Sequence, residues 1–295
     1  LAGEAIASHP SLATVPYGLQ FLALMASAVP LTTLMGRVGR KPVNILASLF
    51  GVGAGVVSAL AVGLGSFVLL CVGHMMLGIF LAGLASLRFA AIDRSPSDLR
   101  EMAISLALFG GVLAGFLGPT LARSAGLVFP FEGFIAPYLM MGAVCGLVAV
   151  ILLLLPFPND AETVQQAQAA KKAARAEGRQ VGAVVLSKPL FWFAVVSGAV
   201  GYGVMTLLMV ASSLEMQAQN FPFEVNTYMI QAHVLAMFAP SLFSGVLVRW
   251  LRRDRFIFIG MMLMVGAAVT ALFAPALWAF LVALVLLGLG WHFLY

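Results

Sequence analysis

The sequence predicts an all-α protein, a polytopic bundle of membrane-spanning helices, and three observations carry that class. Hydrophobic residues make up 62% of the 295 residues and charged residues only 9%, whereas a soluble domain carries about 25% charged residues. A mean hydropathy of +1.06 leaves too few charges to solvate the surface of a soluble fold of this length. Uninterrupted apolar runs recur, each near the roughly 20 residues that cross a bilayer as a helix. Alternating ten-residue barrel strands are absent, so helices must satisfy the backbone inside lipid.

The first span runs from about Thr14 to Met35, with Gln20 as its only strongly polar member. The stretch Thr32 to Pro42, TTLMGRVGRKP, then sets Arg37, Arg40 and Lys41 around Gly39. Residues 42–87 contain no Asp, Glu, Lys or Arg. That run is too long for one crossing and suits two. Gly63-Leu64-Gly65-Ser66 supplies the turn, giving spans at Val43–Val62 and Phe67–Ala90. A fourth span is expected at Met102–Ala122 and a fifth at Ala136–Leu155. After the linker come a sixth at Leu190–Leu214, a seventh at Val225–Val248 and an eighth at Phe256–Phe273. Ala274-Pro275 turns the chain into a ninth at Leu277–Tyr295.

Residues 156–189 have a different character. Pro156 and Pro158 end a helix, Asp160 can cap a new one, and the Ala/Gln/Lys/Arg stretch to Gly178 reads as a short surface helix. The expected organisation is a transmembrane half over 1–155, a cytoplasmic linker over 156–189 and a second transmembrane half over 190–295. Leu1–Ser8 has no positively charged start followed by an apolar core, so no signal peptide is read there. The absence of a starting Met and of a polar tail after Tyr295 gives the expectation of a truncated bundle.

Nine spans make alternate loops share a side. The loops at 37–41, 88–100, 171–188 and 249–255 hold 15 of the 16 Lys and Arg, and Arg123 alone falls on the other side. Basic loops face the cytoplasm, which predicts a multi-pass protein of the inner (plasma) membrane. The net charge of +5 is then a topogenic signal, and nucleic acid is excluded as a partner. Cys71 and Cys145 lie inside apolar runs, far from acidic or His clusters, as small buried hydrophobes. No metal, cofactor or enzyme chemistry is implied: HExxH, GxSG and GxGD are absent, and Gly51-x-Gly53-x-Gly55 completes no dinucleotide fingerprint.

Polar residues inside spans mark interior faces or water-filled paths. The fifth span offers Cys145 and the eighth Thr270, so both are expected on the outside of the bundle. The other spans carry Gln20, His74, Tyr202 with Thr206, Gln231 with His233, and His292. Counted from the outer ends at about 1.5 Å per residue, Gln20, His74, Gln231 and His233 lie roughly 10–13 Å deep, near the midplane where secondary transporters hold substrate. Each alone also fits an ordinary helix–helix hydrogen bond; four at one depth favour a shared site. Gly51/Gly55, Gly111/Gly115 and Gly142/Gly146 have the spacing of close helix packing.

The basic stretch resembles the signature loop between helices 2 and 3 of the major facilitator superfamily, G-x-L-x-D-R-x-G-R-K/R. Leu34, Arg37, Gly39, Arg40 and Lys41 match it, while Thr32 and Gly36 stand where the family has Gly and Asp. His74-Met-Met-Leu-Gly78 lies where the family has Arg-x-x-x-Gly, and Gly118-Pro119 resembles the kink of drug/proton antiporters. Gly245-x-Leu247 with Arg252-Arg253 looks like a degenerate second copy of the loop. Gln20, Met25 and Pro30 are echoed by Gln231, Met237 and Pro240, giving the expectation of two pseudo-symmetric halves. The resemblance spans the chain as about helices 2–10 of twelve.

That resemblance implies a secondary transporter working by alternating access, with lipid, a small-molecule substrate and protons as partners. Arg37, Gly39, Arg40 and Lys41 would belong to a cytoplasmic gate with Arg88 and Asp93. No Asp or Glu lies deep in a span; Glu215 is at the outer mouth. His74 and His233, of a residue type that titrates near pH 6.5, are the deep candidates for proton coupling. Gln20, His74, Tyr202, Met205, Thr206, Gln231 and His233 would line a cavity suited to a neutral or amphipathic solute. Export is the expected direction. The alternative is a non-transporting scaffold or sensor built on the same bundle.

Overall fold

The computed structural model describes residues 2–87, 96, 99–155, 164–165, 168–169, 172–173, 186–241, 253–273 and 276–294. Among them there are helices and connections and no strand. A short helix α1 (Ala2–Ile6) and a single 3-10 turn (Pro10–Leu12) lead into α2 (Val15–Val38). Then follow α3 (Arg40–Leu64), α4 (Phe67–Leu84), α5 (Arg100–Val128) and α6 (Ile135–Leu154). The second part holds α7 (Pro189–Ala218), α8 (Phe223–Phe238), α9 (Arg253–Ala271) and α10 (Leu277–Leu294).

Among the described residues, seven helices are long and apolar enough to cross a membrane: those containing α2, α3, α4, α6, α7 and α10, and the Phe109–Val128 part of α5. The apolar stretch of α9, Arg255–Ala271, is shorter, and α8 has 16 residues. The seventh expected span continues past Ser241 into residues outside the described set, as does the Ala274-Pro275 turn. The expected surface helix of the linker also lies largely outside it.

The predicted turns form for local reasons. Gly65 has φ +62°, a left-handed conformation that suits glycine, and the Ser66 Oγ accepts from the Leu69 N–H at 3.4 Å to start α4. Apolar exposure runs along the helices: Leu22, Val68, Leu147, Leu154, Leu207 and Trp278 are all exposed. Water would penalise such surfaces, whereas lipid tails solvate them.

The residues form two compact units, Leu1–Ala90 with Leu121–Val181, and Ala91–Thr120 with Gly182–Tyr295. In the first, α4 packs on both α2 and α3, and α3 packs on α6. Glycines set the separations. A Cβ on Gly55 of α3 would lie 2.5 Å from the Gly142 Cα and 2.7 Å from the Tyr138 carbonyl, both on α6. Cys145 is buried beside them, where a Cβ on Gly51 would come 2.8 Å from its Sγ. So α6 keeps one exposed apolar face and buries the other against α3. Ala2, Ala61 and Leu70 make a small cluster with Ile6, Phe134 and Tyr138.

In the second unit, α10 packs on α8 and α9, with α7 against it as well. The core is Met205, Met216, Met229, Met264, Phe280, Leu284 and Leu287. The Ser213 Oγ donates to the Asn226 Oδ1 at 3.2 Å, tying α7 to α8 by buried side chains. Gly111 and Gly115 of α5 lie where a Cβ would strike the Phe238 ring at 2.6 Å and Val234 at 2.8 Å. Gly51, Gly55, Gly111, Gly115 and Gly142 thus serve close packing, whereas Gly146 meets only Val52 at an ordinary 3.6 Å.

The glycine contacts also expose an internal repeat. A Cβ on Gly78 of α4 would meet the Gln20 carbonyl, the Ala23 Cβ at 2.9 Å and the Leu24 N at 3.0 Å. A Cβ on Gly288 of α10 would meet the His233 carbonyl at 2.5 Å, the Ala236 Cβ at 2.8 Å and the Met237 N at 3.1 Å. The same three atoms recur in the same order, so Gln20 corresponds to His233 and Gly78 to Gly288. A third pairing agrees: Gly83 packs on Ala47, and Phe293 packs on Gly260. This corrects the register expected from Gln231, which matched residue type with residue type. Packing, not identity of the polar side chain, fixes which residues are equivalent.

Candidate functional site

The basic loop is a single glycine between two helices. Gly39 has φ +93°, and its N–H donates to the Met35 carbonyl at 3.0 Å. An L-residue there would be strained, which accounts for glycine between Arg37 and Arg40. Arg37 is exposed and Arg40 half-buried. The Lys41 Nζ donates to the Leu153 carbonyl at 3.0 Å and to the Leu155 carbonyl at 2.8 Å. These are carbonyls of the last turn of α6, where a cation also meets the negative end of the helix dipole. Arg88 and Asp93, the other expected gate residues, lie outside the described residues.

Lys41→Met removes both bonds while keeping the length of the side chain. It is expected to destabilise the purified protein by about 1–2 kcal/mol, read as a lower melting temperature in detergent. An unchanged melting temperature would mean that the α6 end is held some other way.

In the interior of the first unit, Gln20 is buried on α2, where its carbonyl faces Gly78. One turn back along α4 from Gly78, His74 is half-buried and its Nδ1–H donates to the Leu70 carbonyl at 3.0 Å. Tyr138 of α6 stands edge-on to the His74 ring, with centroids 5.9 Å apart at 80°. Asn44 is another buried polar residue; its Nδ2 donates to the Arg40 carbonyl at 3.0 Å and pairs with Ser86.

In the second unit, Tyr202 is 39% exposed on α7 and stands edge-on to Trp291 of α10, centroids 4.9 Å apart at 79°. Met205 is buried in the core, and the Thr206 Oγ1 is buried without a hydrogen-bond partner. Gln231 is half-buried on α8. His233 is fully buried; its Nδ1–H donates to the Leu284 carbonyl of α10 at 2.8 Å, and its Nε2 has no partner. His292 makes the matching bond one turn on, to the Met237 carbonyl at 3.1 Å. Glu215 is exposed near the end of α7, where its Oε1 accepts from the Gln219 Nε2 at 2.8 Å. Helix α5 runs unbroken through Gly118 and Pro119, and Gly118 has open space beside it.

The predicted residues therefore sort by unit. Gln20 of α2 faces Gly78 of α4, and His74 lies one turn before Gly78 on α4. Tyr202, Met205 and Thr206 share α7, and Gln231 and His233 share α8. Among the described residues no group of three His, Cys, Asp or Glu side chains converges as a metal would require. Sequence reading passed over Tyr138 and Trp291, because an aromatic near a span end also reads as an interface anchor.

With that geometry in place, comparison with known proteins identifies the lineage. The profile of the Major Facilitator Superfamily matches residues 2–295. The chain belongs to the major facilitator superfamily. It is 32% identical over 294 residues to a riboflavin transporter of Brucella anthropi, covering 99% of this chain and 72% of that protein. Two uncharacterised MFS-type transporters of Bacillus subtilis are 27% and 26% identical, each over 99% of this chain and over 69% and 70% of their own lengths. The xylose transporter of E. coli, in a partially occluded inward-open conformation, matches with TM-score 0.53 and 14% identity, over 95% of this chain and 73% of that one. At that identity the likeness concerns the fold. As a superfamily member the protein is a multi-pass membrane transporter of small molecules, and it is not an enzyme.

Proposed function

We propose that the protein is a proton-coupled secondary transporter that moves a neutral or amphipathic organic solute by alternating access, and that riboflavin or a similar planar heterocycle is that solute. The observation that carries the reading is the 32% identity to a riboflavin transporter along 99% of the chain. The residues present suit such a solute. Tyr202 beside Trp291 offers aromatic surface, and offset or edge-on ring contacts favour planar partners. Gln20 in the first unit, and Thr206 and Gln231 in the second, are neutral donors and acceptors, and no Asp or Glu lies deep in a described span.

In this reading His74 carries the proton at depth, and Glu215 is a titratable carboxyl exposed near the end of α7. His74 suits the role because its Nδ1 is anchored on Leu70 while the residue is only half-buried. Arg37 and Arg40 serve the gate, with the basic loops on the cytoplasmic side of the plasma membrane. Export is the direction adopted, on the antiporter-like Gly118-Pro119 pair.

Proteoliposomes test this directly. Labelled riboflavin is expected to move against its gradient when a pH difference is imposed, and unlabelled riboflavin should compete. Riboflavin flux that ignores the pH difference would remove proton coupling. Absence of riboflavin flux, with flux of another organic solute, would remove the flavin assignment.

A further inference from the structure

We propose that His233 is a positioning residue: the side-chain pin of an internal repeat, standing where Gln20 stands, which sets the register of α8 on α10 without exchanging a proton. Three observations converge on it. The Gly288 crossing reproduces the Gly78 crossing atom for atom, so His233 and Gln20 occupy one structural position. From that position the imidazole reaches across to α10 and donates Nδ1–H to the Leu284 carbonyl at 2.8 Å. Leu284 is one turn before Gly288, so the main chain and side chain of His233 grip α10 on successive turns.

The other ring nitrogen is sealed. His233 has no exposed surface, and its Nε2 is buried with no hydrogen-bond partner. A proton could arrive there only if the packing opened. Leu284, whose carbonyl takes its hydrogen bond, and Met229, one turn earlier on α8, both belong to the buried apolar core.

The helices packed on α8 bring few ionisable groups. From α10 comes His292, whose Nδ1–H goes to the Met237 carbonyl one turn along. From α7 come Tyr202 and Glu215, both exposed. Helix α5 approaches α8 through Gly111 and Gly115, opposite Phe238 and Val234. Helix α10 also holds Trp291 against Tyr202 of α7, so a shift of α10 would reach that aromatic pair.

The repeat supplies the test, since glutamine already fills the equivalent place on α2. His233→Gln keeps an N–H donor for the Leu284 carbonyl. It is expected to melt within about 2 °C of wild type and to keep the wild-type pH profile of transport. His233→Ala loses the bond and leaves a hole, and is expected to melt about 5 °C or more below wild type. A His233→Gln protein that melts normally but loses its pH-driven flux would overturn the pin and make His233 a proton carrier. A His233→Ala protein that melts like wild type would overturn it too. The flux arm rests on the proton-coupled reading, whereas the melting arm needs no solute. If the wild-type protein moves no riboflavin, the flavin reading fails and the two melting temperatures still decide the pin.

Discussion

Gly55→Leu is expected to yield no folded protein, and Gly55→Ala a protein weakened by about 3 kcal/mol or more. The reason is what surrounds the missing Cβ. It would lie 2.5 Å from the Gly142 Cα, 2.7 Å from the Gly142 N and 2.7 Å from the Tyr138 carbonyl. All three are main-chain atoms of α6, so no rotamer change can make room. Helices α3 and α6 would have to separate, taking with them the close approach of Gly51 to Cys145. Gly146→Ala is the matched control, because its Cβ would meet only the Val52 Cγ2 at 3.6 Å, an ordinary contact. It should be neutral or slightly stabilising, since alanine favours a helix over glycine by about 0.5–1 kcal/mol. Folded yield by size-exclusion chromatography and melting in detergent separate the two outcomes.

Gly78→Leu and Gly288→Leu are expected to fail together. Each glycine faces a carbonyl oxygen, an alanine Cβ and a backbone nitrogen on the neighbouring helix, in the same order. The alanine substitutions should each cost about 1–3 kcal/mol. Similar losses at both sites would support the register that equates Gln20 with His233. A large loss at one site and none at the other would contradict it. Gly118→Ala, with open space around the glycine, gives the baseline.

Much of this architecture is written in the residues. The charge-free stretch of 42–87 divides at Gly65 because a left-handed glycine followed by a serine cap ends one helix and starts another. Helices α6, α7 and α10 begin within a residue of the expected spans, since apolar length is what a bilayer dictates. The glycine pairs were legible as packing, but their partners were not. Spacing identifies a flat helix face and says nothing about which helix lies on it.

The candidate site was legible in part. Polar residues within spans pointed to Gln20, His74 and His233, but not to the carbonyls that their neighbours or rings engage. Lys41 shows the same limit: its partners are backbone oxygens at the end of α6, which have no sequence signature. The repeat register failed at first because Gln20 and Gln231 share a side chain. Two residues further on, His233 shares the packing.

Proton-driven movement of a flavin-like solute, with His74 as the deep proton carrier, remains a proposal that one experiment tests. The most direct measurement is riboflavin flux in proteoliposomes under an imposed pH difference, comparing wild type with His74→Gln. Wild type should concentrate riboflavin in response to the gradient. His74→Gln should retain exchange of labelled for unlabelled riboflavin while losing the response to pH. A His74→Gln protein that still concentrates riboflavin when the pH difference is applied would exclude His74 as the proton carrier.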